Sequence, residues 1–183
     1  MRLVVLDGPE YRSRRVLARR DALLVDSRRR EEDFSCNPRW SARTAGELRP
    51  HAPLLGVGSS LGALALLHLH WTRPGLFGAL LLQSGSFFHR ETERYERQFA
   101  RFDRVHRFVD RVLHGRGRPA KIPVTMTCGL QEQNLRNNVA TAQALARHGW
   151  DVRLVLYPGG HDWDEWRRAA REELPRLQRR AAG

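Results

Sequence analysis

Short apolar runs alternate along this chain with longer stretches of helical period. Leu3 to Leu6 is a run containing two valines that ends at Asp7-Gly8-Pro9, which reads as a buried strand followed by a turn. Arg12 to Arg20 is a short basic segment of helical character, and Ala22 to Val25 is a second strand candidate. The polar stretch Asp26 to Arg43, with the charge run Arg28 to Asp33, reads as a solvated loop. Thr44 to Arg49 makes a helical turn before Pro50. A buried strand through Leu54-Leu55-Gly56-Val57 meets a glycine turn, and a helix runs from Leu61 to about Trp71, stopped by Thr72-Arg73-Pro74-Gly75.

The second half repeats the alternation. Ala79 to Gln83 reads as a strand and Ser84-Gly85-Ser86 as a turn. Glu91 to Leu113 reads as one long helix with Phe99, Phe102, Val105, Phe108, Val109 and Val112 on its apolar side. Gly115 to Pro119 is a loop, Ile122 to Thr127 a strand, and Leu135 to His148 a helix closed by Gly149. Val152 to Tyr157 is a strand, Pro158-Gly159-Gly160 a turn, and Trp163 to Gln178 a last helix, bent near Pro175. Strands alternating with helices predict an α/β fold with a mainly parallel sheet, in one domain over residues 1–183. The first strand begins at the first residues, so the sheet is expected to be shortened at the N-terminus. Functional groups in such sheets gather at the carboxyl ends of the strands.

Composition adds a charge. The chain of 183 residues has 32 Lys and Arg against 20 Asp and Glu, a formal net charge of +12, and Lys121 is the only lysine. Acidic residues are interspersed and no long basic block forms, so the arginines read first as a solvated surface. Attraction to anions, nucleic acid or an anionic substrate is the sharper reading, but no nucleic-acid module pattern accompanies it, and no nucleic-acid partner is expected. Cys36 and Cys128 form neither a disulfide framework nor a metal quartet, and no metal or cofactor is expected. Two thiols and no signal peptide or run of transmembrane length predict a cytoplasmic protein without a membrane partner.

The chemistry enters at Gly58-Ser59-Ser60-Leu61-Gly62, a G-x-S-x-G between strand and helix. A nucleophilic serine there sits on a sharp turn with its hydroxyl above the sheet, and the residues two before and two after must be small. The unpaired N–H groups at the head of the helix suit a developing oxyanion. A dinucleotide fingerprint beginning Gly56-x-Gly58 would need glycine at position 61, which is Leu61. The plain alternative is a buried glycine turn whose Ser60 only caps the helix.

A serine hydroxyl needs a base, and the base an orienting acid, here in chain order Ser, acid, His. His161 follows a strand and the Gly159-Gly160 turn, and Glu132 follows the strand before it. Asp103 and Asp110 fall on the charged helix, and Asp162 adjoins the histidine too closely to reach its ring. The backbone N–H of Leu61 is one oxyanion donor; the second falls to the loop after the first strand, at Gly8 or Glu10, since Pro9 has no N–H.

Six stretches carry a family resemblance: Val4-Val5-Leu6-Asp7-Gly8; Glu32 to Pro38; the elbow Gly58 to Ala63; Gln83 to Phe87; Cys128 to Asn134; and Gly159-Gly160-His161-Asp162-Trp163 with Trp166-Arg167. Together they resemble the serine esterases related to enterochelin esterase and esterase D. The resemblance implies an α/β-hydrolase-like fold, a carboxylic ester substrate, Ser60 as nucleophile, Glu132 as acid and His161 as base. With it, Asp7 and Trp163 are expected at the substrate. It points to cleavage of siderophore esters of the enterochelin type, for which the arginine excess would suit an anionic catecholate. Two other readings stand beside it. One is a shortened, non-catalytic relative that binds a partner or forms a homodimer through an exposed sheet edge. The other is a basic nucleic-acid binder.

Overall fold

The computed structural model describes residues 1–17, 21–117 and 119–183. Six strands form one all-parallel sheet in the order β2-β1-β3-β4-β5-β6. The strands are β1 (Arg2–Leu6), β2 (Leu23–Val25), β3 (Leu54–Ser59), β4 (Phe77–Gln83), β5 (Val124–Gly129) and β6 (Val152–Tyr157). The helices are α1 (Gly8–Ser13), α2 (Arg30–Phe34), α3 (Pro38–Leu48), α4 (Leu61–Thr72), α5 (Phe102–Leu113), α6 (Leu135–Arg147) and α7 (Trp163–Arg180). This is the α/β architecture expected from the alternating pattern.

Period-two side chains divide the core into two layers. Val4 and Leu6 of β1 face one layer, with Leu64 and Leu67 of α4, Val105 of α5 and Leu145 of α6. Leu3 and Val5 face the other, with Tyr11 of α1 and Ala170, Leu174 and Leu177 of α7. β3 is buried at every residue, as a central parallel strand should be. α4 is buried at every position except Thr72, so its sequence shows no polar face.

Four sequence expectations are corrected. The charge run is not a loop but α2, because its charges find distant partners: Arg30 meets Asp7, and Glu32 meets Arg101 and Arg104. α3 starts six residues earlier than the helical turn expected at Thr44. Asn37 caps it, Oδ1 accepting from the N–H groups of Arg39 (3.0 Å) and Trp40 (3.2 Å), and Pro38 opens it. The long helix over Glu91 to Leu113 exists only from Phe102. Ahead of it, the carboxylate of Glu93 accepts from the N–H groups of Tyr95 (2.7 Å) and Glu96 (3.0 Å), a local alternative to helical bonds. The basic helix expected over Arg12 to Arg20 is displaced to Gly8–Ser13, and residues 18–20 lie outside the described residues, as does Arg118 in the Gly115 to Pro119 loop.

His68 shows what the buried α4 demands. Its Nδ1 pairs with Ser41 Oγ at 2.9 Å, and its ring meets Phe108 edge to face at 5.0 Å. Burial first, then the nearby Arg73, Arg104 and Arg111, pull its pKa from 6.5 down to about 4. Between those values the unfolded chain binds the proton and the folded one does not, so stability falls as pH drops through that window. We expect the parent to lose about 3 kcal/mol more than His68→Gln between pH 7 and pH 4. Urea unfolding of both proteins at the two pH values measures the difference; equal losses would mean that His68 titrates normally.

Candidate active site

The turn from β3 into α4 carries Ser60 at φ 54° and ψ −124°, a left-handed backbone that a non-glycine residue adopts only under constraint. Neighbouring strands supply that constraint. The Ser60 N–H donates to the carbonyl of Gln83 (2.9 Å), and the Ser86 N–H donates to the carbonyl of Ser60 (3.2 Å). The two glycines are needed for space. A Cβ on Gly58 would lie 2.8 Å from the carbonyl carbon of Gly62, and one on Gly62 would lie 3.1 Å from Asp7 Oδ2. The Ser60 side chain caps no helix bond; its Oγ lies 3.2 Å from Ser86 Oγ.

Glu132 and His161 come together because the loops after β5 and β6 are stitched side by side. Leu130 N–H donates to the Tyr157 carbonyl (2.7 Å) and Gln131 N–H to the Gly159 carbonyl (3.0 Å). A Cβ on Gly129 would lie 2.3 Å from that Gly159 oxygen, so only glycine allows the approach. His161 Nδ1 then sits 2.8 Å from Glu132 Oε2. The Glu132 side chain is 1% exposed and the imidazole 42% exposed. The other Glu132 oxygen accepts from Ser84 Oγ (2.6 Å) and the Gly129 N–H (2.7 Å). Ser84 Oγ in turn accepts from Trp166 Nε1 at 2.9 Å, and Trp166 meets the His161 ring edge to face at 4.9 Å. One tryptophan therefore supports both acid and imidazole. Asp162 is engaged elsewhere, its Oδ1 capping α7 through the N–H groups of Asp164 and Glu165.

Ser60, Glu132 and His161 open on one cavity of about 290 Å³, with Ser86, Phe88, Glu93, Glu96, Gln131, Gln133 and Asn134 as its other lining residues. Leu61 opens α4, so its N–H is among those a helix leaves unpaired. Gly8 opens α1 beyond β1, the strand beside β3, and a Cβ there would lie 2.5 Å from Leu24 Cβ. The two residues expected at the substrate lie elsewhere. Both Asp7 oxygens are taken by Arg30, at 2.7 and 2.8 Å, and Asp7 is buried. Trp163 packs edge to face on Tyr11 (5.5 Å) and Trp166 (4.8 Å). Neither lines the cavity, because each is held by an apolar or ionic partner behind it.

The sequence patterns alone do not single out Ser84, Ser86, Glu93 or the supporting role of Trp166. Small polar residues at the end of β4, next to the elbow strand, are the one signal that could have found the serines. Cys36 and Cys128 are free and buried, and burial raises both thiols far above their ordinary range. No described helix is long and apolar enough to cross a membrane.

The family model described as "Putative esterase" matches residues 46–177. No curated protein matches the sequence. Among solved structures, the chain is similar to the enterobactin esterase FES from Shigella flexneri (TM-score 0.75, 22% identity), with 97% of this chain covering 52% of that one. It is also similar to the fluorophosphonate-binding serine hydrolase FphF from Staphylococcus aureus (TM-score 0.67, 14% identity), with 96% of this chain covering 82% of that one. The chain thus spans about half the length of the enterobactin esterase it matches.

Ser84→Ala removes one of the two donors to Glu132 Oε1 and leaves the indole N–H of Trp166 without its acceptor. We expect Ser60 to react about tenfold more slowly with a fluorophosphonate, with the fold intact by circular dichroism. An unchanged labelling rate would show that Ser84 only fills space.

Proposed function

The chain belongs to the Esterase family, and on that premise we propose that it is a serine hydrolase cleaving carboxylic esters with Ser60, His161 and Glu132. The observation that carries this reading is the 2.8 Å bond between His161 Nδ1 and the buried Glu132, facing the same cavity as the strained Ser60. An ionised carboxylate can only accept, so the imidazole donates from Nδ1 and leaves Nε2 as the base. Ser60 Oγ attacks the ester carbonyl while Nε2 takes its proton, and the imidazolium is stabilised by Glu132. The N–H of Leu61, aided by that of Gly8, receives the oxyanion. Nε2 returns the proton to the leaving alcohol, and water repeats the sequence on the acyl-enzyme. In the resting arrangement Ser60 Oγ is turned to Ser86, and the Ser60–His161 contact forms as substrate enters, since such bonds are commonly loose without it. On this reading Ser60, Glu132 and His161 belong to one domain over residues 1–183.

The finer reading is cleavage of siderophore esters, favoured by the likeness to structures of enterobactin esterases. The cavity wall weighs against it, because Glu93 and Glu96 line it and, among the described residues, no arginine or lysine does.

Incubation with a fluorophosphonate should add one adduct to the parent, read by intact mass, and none to Ser60→Ala or His161→Ala. Hydrolysis of a simple p-nitrophenyl ester should fall by at least about 1000-fold in either variant, and by less in Glu132→Gln. A folded parent that neither labels nor hydrolyses would remove the esterase reading and leave a binding role.

A further inference from the structure

Acidic side chains that hold this arginine-rich chain together are paired with arginines. Asp7 holds Arg30, Glu32 holds Arg101 and Arg104, Asp103 holds Arg90, Glu173 holds Arg153 and Arg176, and Asp151 holds Arg180. The carboxylates on the cavity wall break that pattern. Glu93 is buried, and its hydrogen-bond donors are the N–H groups of Tyr95 and Glu96 and the amide of Asn137, all neutral. No ion pair to its carboxyl group is formed among the described residues. Glu96 is exposed on the same wall, and among the described residues no ion pair neutralises it. Arg97, the neighbour that could do so, commits its guanidinium to the carbonyls of Glu93 (3.1 Å) and Arg90. The remaining wall is made of amides, hydroxyls, the side chain of Phe88 and the Glu132–His161 pair. A protein of net charge +12 thus has a cavity whose described lining residues include carboxylates and no arginine or lysine.

Resting on the esterase reading above, we propose that this cavity selects esters carrying an alkylammonium group over esters carrying a carboxylate, and that Glu96 sets the preference. Glu93 is anchored by its own bonds. Glu96 is free to approach the charged group. The long-range field of the arginine-rich surface acts in the opposite sense, attracting anions from solution. Its effect fades with salt within about 10 Å at 0.1 M, whereas contacts inside the cavity persist.

The test uses three p-nitrophenyl esters with acyl chains of matched length, ending in trimethylammonium, in its neutral tert-butyl isostere, or in carboxylate. Hydrolysis of the neutral ester, lost in Ser60→Ala, establishes the esterase reading independently of charge. With that established, kcat/KM at about 0.15 M salt should favour the ammonium ester over the carboxylate ester by about tenfold, as expected for a charge pair at a partly screened site. Glu96→Gln should bring the ratio close to one, and Glu96→Lys should invert it. A parent ratio of one or less, or a ratio unchanged in Glu96→Gln, would overturn the proposal while the esterase reading stands. If the neutral ester is not hydrolysed, both fall together.

Discussion

The turn at Ser60 is the constraint on which the surrounding structure depends. A serine at φ 54° is held there only because backbone groups on both sides are already occupied. Its N–H is bound to β4 through Gln83, and its carbonyl is bound by Ser86 beyond β4. The approach of α4 to β3 behind it leaves no room for a side chain at Gly58. β3 and β4 must therefore be neighbours and in register before the serine can stand above the sheet. The burial of α4 at every position but Thr72 follows from the same geometry, since a helix starting at that turn runs directly under the core.

Glu132 is held just as closely. Both Glu132 oxygens are satisfied, one by the imidazole and one by Ser84 and Gly129, which meets the requirement that a buried carboxylate be fully bonded. Ser84 itself has a left-handed backbone, φ 50°, and the loop it opens is pinned by Asn134 and Asn138 to the carbonyl of Gly85. The loops after β3, β4, β5 and β6 thus form one bonded layer at the carboxyl edge of the sheet. Rigid support of this kind is what lets three residues from separate loops hold a common geometry.

Charge is distributed with the same division between frame and site. Arginines tie acidic side chains across elements distant in sequence: Arg30 holds the end of β1, and Arg104 and Arg101 hold α2 against α5. The net charge of +12 therefore describes the frame and the surface, and not the cavity. Reading an anionic ligand from the total charge confuses these two, because the field inside a small cavity is set by the few groups that line it.

Local patterns determined much of this protein. Short apolar runs punctuated by Gly and Pro sufficed to place the strands, since burial on both faces of a parallel sheet leaves an uninterrupted apolar signature. The G-x-S-x-G spacing marked the turn, because its requirement for small residues is steric and local. The same local reading missed α2 and overextended α5, as the deciding interactions were Arg30 with Asp7, Arg104 with Glu32, and the carboxylate of Glu93 with the N–H groups of Tyr95 and Glu96. Sequence order allowed Glu132 and His161 as a pair, but their 2.8 Å contact, the Trp166–Ser84 support behind them and the acidic wall of the cavity exist only once β4, β5 and β6 lie side by side. Periodicity is a property of neighbours along the chain, whereas a site is made by residues that the sheet brings together from far apart.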